Sequence, residues 1–108
     1  MIPSIGRIVH YTLSAQDAEQ VNRRRDDARR NTRQITEAQA GYVAHVGNDV
    51  RAGDVYPLVI TRTWGSTPES AVNGQVLLDG NDLLWVTSVQ QGEGERTWWS
   101  PLDAPVAP

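Results

Sequence analysis

Apolar and polar residues alternate near the start of the chain. In "GRIVHYTL", Val9, Tyr11 and Leu13 fall on one side and Ile8, His10 and Thr12 on the other, which is the two-residue period of a half-buried strand. A strand is therefore expected over residues 6–13. The period then lengthens. Ser14 is a good helix cap, Asp17 answers it three residues on as a shortened capping box, and Leu13 is placed to staple onto Ala18. A helix is expected over about 15–38, ending before Gly41. Its apolar stripe is narrow: Ala18, Val21, Ala28 and Ile35, the last three spaced by seven. Such small side chains cannot hold a helix of that length in isolation, so it must lie on the sheet or on a copy of itself. The spacing makes Ala18, Val21, Ala28 and Ile35 the expected seam of a homo-oligomer.

Beyond Gly41 the strand pattern returns, with strands expected at about 42–46, 55–64, 71–78, 83–89 and 96–99 and a C-terminal tail at 101–108. Gly47-Asn48, Gly53-Asp54, the stretch from Gly65 to Pro68, and Asp79-Gly80-Asn81 supply the turns between them. Short strands joined by tight turns predict a single domain over residues 1–108. It is mainly β (α+β), a small antiparallel SH3-like barrel with one long helix inserted after the first strand. Pro57 implies that its strand starts there or lies on an edge. In "LLWV" the residues Leu83, Leu84, Trp85 and Val86 put apolar groups on both faces of one strand, so the second face needs a cover. Trp98 and Trp99, as strand neighbours, point to opposite sides, and only one can enter the core.

Composition narrows the chemistry. The chain has 108 residues and no cysteine, which allows one modest core and removes disulfides, thiolate metal sites and thiol nucleophiles. No apolar run approaches the ~20 residues of a membrane span, and the N-terminus lacks the pattern of a secretory signal. His10 and His45 have no HExxH spacing, and Asp79, Asn81 and Asp82 are not followed by the ligands of a calcium loop, so neither metal nor cofactor is expected. With no GxSxG elbow and no phosphate-binding glycine loop, the expectation is a protein that is not an enzyme.

Charge is unevenly placed. All ten basic residues are arginines, a bias that a GC-rich genome produces and that identifies no partner. The net charge is −3, yet residues 23–33 hold six arginines against Asp26 and Asp27. On a helix Arg23 and Arg30 each find aspartates three or four residues away, whereas Arg25 finds none. Arg25, Arg29 and Arg33 form one i, i+4, i+8 row beside the apolar stripe, and such a row of like charges favours a facing anion. A pI near 5.2 argues against nucleic acid, which rewards a broad basic face. A small anion held by arginines and a stacked tryptophan fits better.

The stretches "GRIVHYTLS", "GDVYPLVITRTWG", "AVNGQVLLDGNDLLWVTSV" and "TWWSP" resemble small accessory proteins of tailed bacteriophages and prophages, especially those of GC-rich actinobacterial hosts. The resemblance covers most of the chain and departs from about Arg23 to Ala40. It implies a viral protein and carries over no functional residue. The leading expectation is an oligomeric antagonist of host defence, a sponge in the host cytoplasm that sequesters a nucleotide-type signal. Arg25, Arg29 and Arg33 would face its phosphates, and Trp64, Trp85, Trp98 or Trp99 would stack on its base. The alternative is a virion protein, a capsid decoration or tail or connector component acting through protein contacts. A weaker third reading is a nucleic-acid binder.

Overall fold

A computed structural model describes residues 1–38 and 44–101, without the side chains of residues 31–38. Five strands, β1 (Ile8–Thr12), β2 (Val55–Thr63), β3 (Val72–Leu77), β4 (Leu83–Val89) and β5 (Thr97–Trp99), form one antiparallel sheet in the order β4-β3-β2-β1-β5. Helix α1 (Ala15–Ala38) fills the connection from β1 to β2. The sheet curls into a half-barrel. After β4 the chain returns beside β5, where the Trp98 amide donates to Gln90 O and the Gly92 amide donates to Trp98 O.

The alternation read in β1 is realised: Val9, Tyr11 and Leu13 are fully buried while Ile8 is exposed. They pack with Leu58, Ile60, Val72, Val76, Leu84, Val86, Val89 and Trp98 in one core. At Gly74 the neighbouring strand presses close, since a Cβ there would stand 2.5 Å from Leu58 Cδ1 and from Val59 O. Only glycine lets the strands approach so nearly.

Helix α1 begins as its capping residues dictate. The Asp17 amide donates to Ser14 Oγ and the Ser14 amide donates to Asp17 Oδ2, each at 3.0 Å, which closes the reciprocal box. Tyr11 adds a third bond, its hydroxyl donating to the same Asp17 oxygen at 2.6 Å. The first strand and the first helical turn are thus tied together inside the core.

Three expectations change. Ala18, Val21 and Ala28 are buried within the protomer, Ala18 and Val21 in the same cluster as the sheet's residues. They line this chain's own core instead of an intersubunit seam, and the Ile35 side chain lies outside the described residues. The strand expected at 42–46 does not form over residues 44–46, which run as an irregular segment ending in one bridge between Gly47 and Gly80; residues 42 and 43 lie outside the described ones. Pro57 sits within β2, a central strand. It pairs with His10 on β1 but stands one residue outside the β2–β3 ladder, which runs up to Leu58 and Val76, so that ladder is not interrupted at its missing N–H.

Candidate functional site

One member of the arginine row turns inward. Arg25 is 1% exposed. Its Nη1 and Nη2 donate to Asp82 Oδ2 and Oδ1 at 3.0 and 2.8 Å, Nη1 also to His45 O, and Nε to Asn48 O. Arg24 donates to Asp82 Oδ2 and to Leu83 O. One buried cation thereby gathers three separate pieces of chain: the helix, the segment after it, and the β3–β4 turn. Beside the guanidinium the backbones of Gly47 and Gly80 meet. A Cβ on Gly80 would lie 2.6 Å from Val46 O and 2.8 Å from Arg25 Nη2, so the clasp needs glycine there.

Burial alone would raise the Asp82 pKa, but the hydrogen bonds from Arg25 and Arg24 outweigh it and hold the carboxyl below its ordinary value. Next in the row, Arg29 bonds Asp49 at 2.7 Å and Asp26 at 3.1 Å, and the Asp49 bond chiefly raises its pKa. Arg33's side chain lies outside the described residues. The expectation that Arg25 lacks a carboxylate is corrected, because helical spacing sees only its own helix and Asp82 lies 57 residues away. Neither Arg25 nor Arg29 stands as a free cation facing solvent.

The four tryptophans separate. Trp98 is fully buried in the core, and its Nε1 has no hydrogen-bond partner among the described residues. Trp99 takes the other side of β5, half-buried with its ring centroid 4.5 Å from that of His10. Trp64 is exposed, but Arg62 lies 3.9 Å over its ring, and its Nε1 donates to Asn73 Oδ1. That leaves Trp85, 63% exposed in the middle of β4. Among the described residues, therefore, the predicted ligand side chains do not converge on one cavity. Two surface hollows, one lined by Pro68, Glu69, Gln90 and Gln91 and the other by Gln16, Glu19, Gln20 and Arg23, touch none of them.

What the fold does assemble is the outer face of the sheet. Strand pairing runs Ile8 to Val59, Val59 to Gln75 and Gln75 to Trp85, a straight row across four strands. A second row begins with Trp99, His10 and Pro57, and Leu77 is paired with Leu83 on the other two strands. Ile8, Val55, Leu77, Leu83 and Trp85 are all exposed. The two-sided strand expected at "LLWV" is real: Leu84 and Val86 enter the core while Leu83 and Trp85 face away from it. At the free edge of β4, Arg24 bonds Leu83 O at 3.0 Å and Arg96 reaches Thr87 O at 3.5 Å. Arginines on these carbonyls blunt the edge against an added strand and leave the face as the accessible surface.

Among the described residues no group of three histidine or carboxylate side chains is placed to hold a metal ion, and no helix is long and apolar enough to cross a membrane. Compared with protein-family models, curated proteins and solved structures, the chain matches none of them.

Proposed function

We propose that this chain is a non-enzymatic accessory protein of a phage virion, an SH3-like barrel that works by docking the outer face of its sheet on another protein surface. The observation that carries the reading is the contrast between two surfaces. Two of the arginines expected to grip a phosphate, Arg25 and Arg29, are held by Asp82, Asp26 and Asp49. The face around Trp85 presents large apolar side chains with no cover among the described residues. Contiguous exposed apolar surface of this kind marks protein contact more often than small-anion capture.

The strand order β4-β3-β2-β1-β5, with the long insertion between the first two strands, supports the SH3-like description. The phage origin rests on the sequence resemblance.

Mass spectrometry of purified particles tests the proposal. The encoding phage should carry the protein at a fixed copy number, and a phage with Trp85→Ser should lose it from the particle while the variant still accumulates folded in the cell. Absence from wild-type particles, with heat released on titrating the protein with a cyclic dinucleotide, would overturn it in favour of the sponge.

A further inference from the structure

We infer that the surface docked on this face, in the free protein, is the same face of a second copy, turned through 180° so that Trp85 of each copy meets Ile8 of the other. This rests on the outer-face reading above and names the partner.

Charge is the first argument. The helix surface is densely ionic, with Glu19, Arg23, Asp26, Asp27, Arg29 and Arg30 all exposed. Across the outer positions of the five strands the residues are apolar, hydroxyl, amide or imidazole, without a carboxylate or a guanidinium; Arg62 stands apart beside a bulge in β2, stacked on Trp64. In a two-fold contact the same patch lies on both sides of the interface, so a face carrying net charge of one sign would repel its copy and an uncharged one does not.

Area is the second. Trp85, Ile8, Leu83, Val55 and Leu77 are 63%, 60%, 48%, 44% and 38% exposed. With Trp85 near the top of the roughly 150–250 Å² range of an aromatic side chain and the four aliphatic residues near or just below its lower end, they leave roughly 450 Å² open. That is more than half of the ~800 Å² per partner in a standard interface, and the polar positions between them can supply the remainder.

Shape is the third. In the row from Ile8 to Trp85 the two ends protrude, whereas Val59 and Gln75 between them are half-buried. The ends lie three strand spacings apart, about 14 Å. A curled sheet falls away from the centre of its outer face, and tall side chains at both ends make up that fall. A copy laid end for end then touches along the whole row.

The absence of cysteine makes a direct test available. A Trp85→Cys copy mixed with an Ile8→Cys copy should form the mixed disulfide under mild oxidation in preference to either homodimer. Sedimentation of the unmodified protein should show a species of twice 11.9 kDa. Trp85→Ser and Ile8→Ser should each weaken that species at least tenfold, and Arg23→Ala, on the helix surface, should not. A protein that stays monomeric at several hundred micromolar overturns the inference, as does a dimer indifferent to both serine variants or dominance of the Trp85→Cys homodimer. If the monomer is nonetheless found in particles and lost on Trp85→Ser, the docking function stands with a different partner. Absence from particles together with a monomeric protein overturns both.

Discussion

The Arg25 guanidinium and the Asp82 carboxylate meet through two hydrogen bonds of 3.0 and 2.8 Å, with both side chains almost wholly excluded from solvent. Breaking such a pair strands the surviving charge, which typically costs about 3–5 kcal/mol, whereas replacing both partners by apolar side chains is often nearly neutral. Arg25→Met alone should lower stability by that amount, a fall in Tm on the order of 20 °C. The double variant Arg25→Met with Asp82→Leu should recover part of it, the remainder reflecting the His45 and Asn48 carbonyls and Arg24, which still lose their partners. Urea titrations of the wild type, the two single variants and the double variant check this as a double-mutant cycle.

The same pair sets an acid limit. Since the folded-state pKa of Asp82 is depressed, its contribution is complete above the unfolded carboxylate value of about 3.9 and is lost as pH falls through the folded value. Unfolding free energy should therefore fall as pH drops below about 4. The Asp82→Asn variant, less stable at neutral pH, should show a shallower slope over that window. Equilibrium denaturation at a series of pH values measures the two slopes.

Asn22 bridges the helix to the chain beyond it. Its Nδ2 donates to Val50 O and its Oδ1 accepts the Val50 amide, both at 2.8 Å, so one side chain acts as the missing strand partner of a residue only 3% exposed. Asn22→Ala leaves a buried donor and acceptor unpaired, a loss of roughly 2 kcal/mol or more. Amide hydrogen exchange should show it most directly, with the Val50 amide losing protection before the strands do.

The predicted architecture emerges where a pattern depends on near neighbours in sequence. Ser14, Asp17 and the alternating Val9, Tyr11 and Leu13 act over three or four residues, and the helix and the five strands of the sheet follow from such signals. The clasp could not be read that way, because Arg25 finds its carboxylate on the β3–β4 turn. One local clue was present. Arg25 lies four residues after Val21 and three before Ala28, so it occupies the buried stripe itself, and a charged residue in that position requires a distant counter-ion. Residues 44–46 misled for the opposite reason: their apolar spacing fits a strand, but Arg25 and Asn81 take up the carbonyls and the Val46 amide that a ladder would use. The exposed face was legible in Leu83 and Trp85 standing on the opposite side from Leu84 and Val86, although the sequence did not show that it lacks a cover among the described residues.

The remaining prediction concerns alkali. Tyr11 is fully buried and donates its hydroxyl to Asp17, and burial first, then that bond to a carboxylate, push its pKa above the ordinary tyrosine range. Ionising it would set a phenolate against a carboxylate 2.6 Å away, so the folded state keeps the proton that the unfolded chain gives up near pH 10. A group whose folded pKa is raised contributes fully below the unfolded value and loses that contribution as pH rises through the folded one. Stability should thus decline above about pH 10. Tyr11→Phe retains the ring in the core and leaves Asp17 its bond from the Ser14 amide, so it should lose about 1 kcal/mol at neutral pH for one hydrogen bond. Above pH 10 it should decline less steeply than the wild type, because this proton no longer links folding to pH. Thermal unfolding followed by circular dichroism from pH 7 to 11 would show the two curves converging, and parallel curves would exclude Tyr11 as the group responsible.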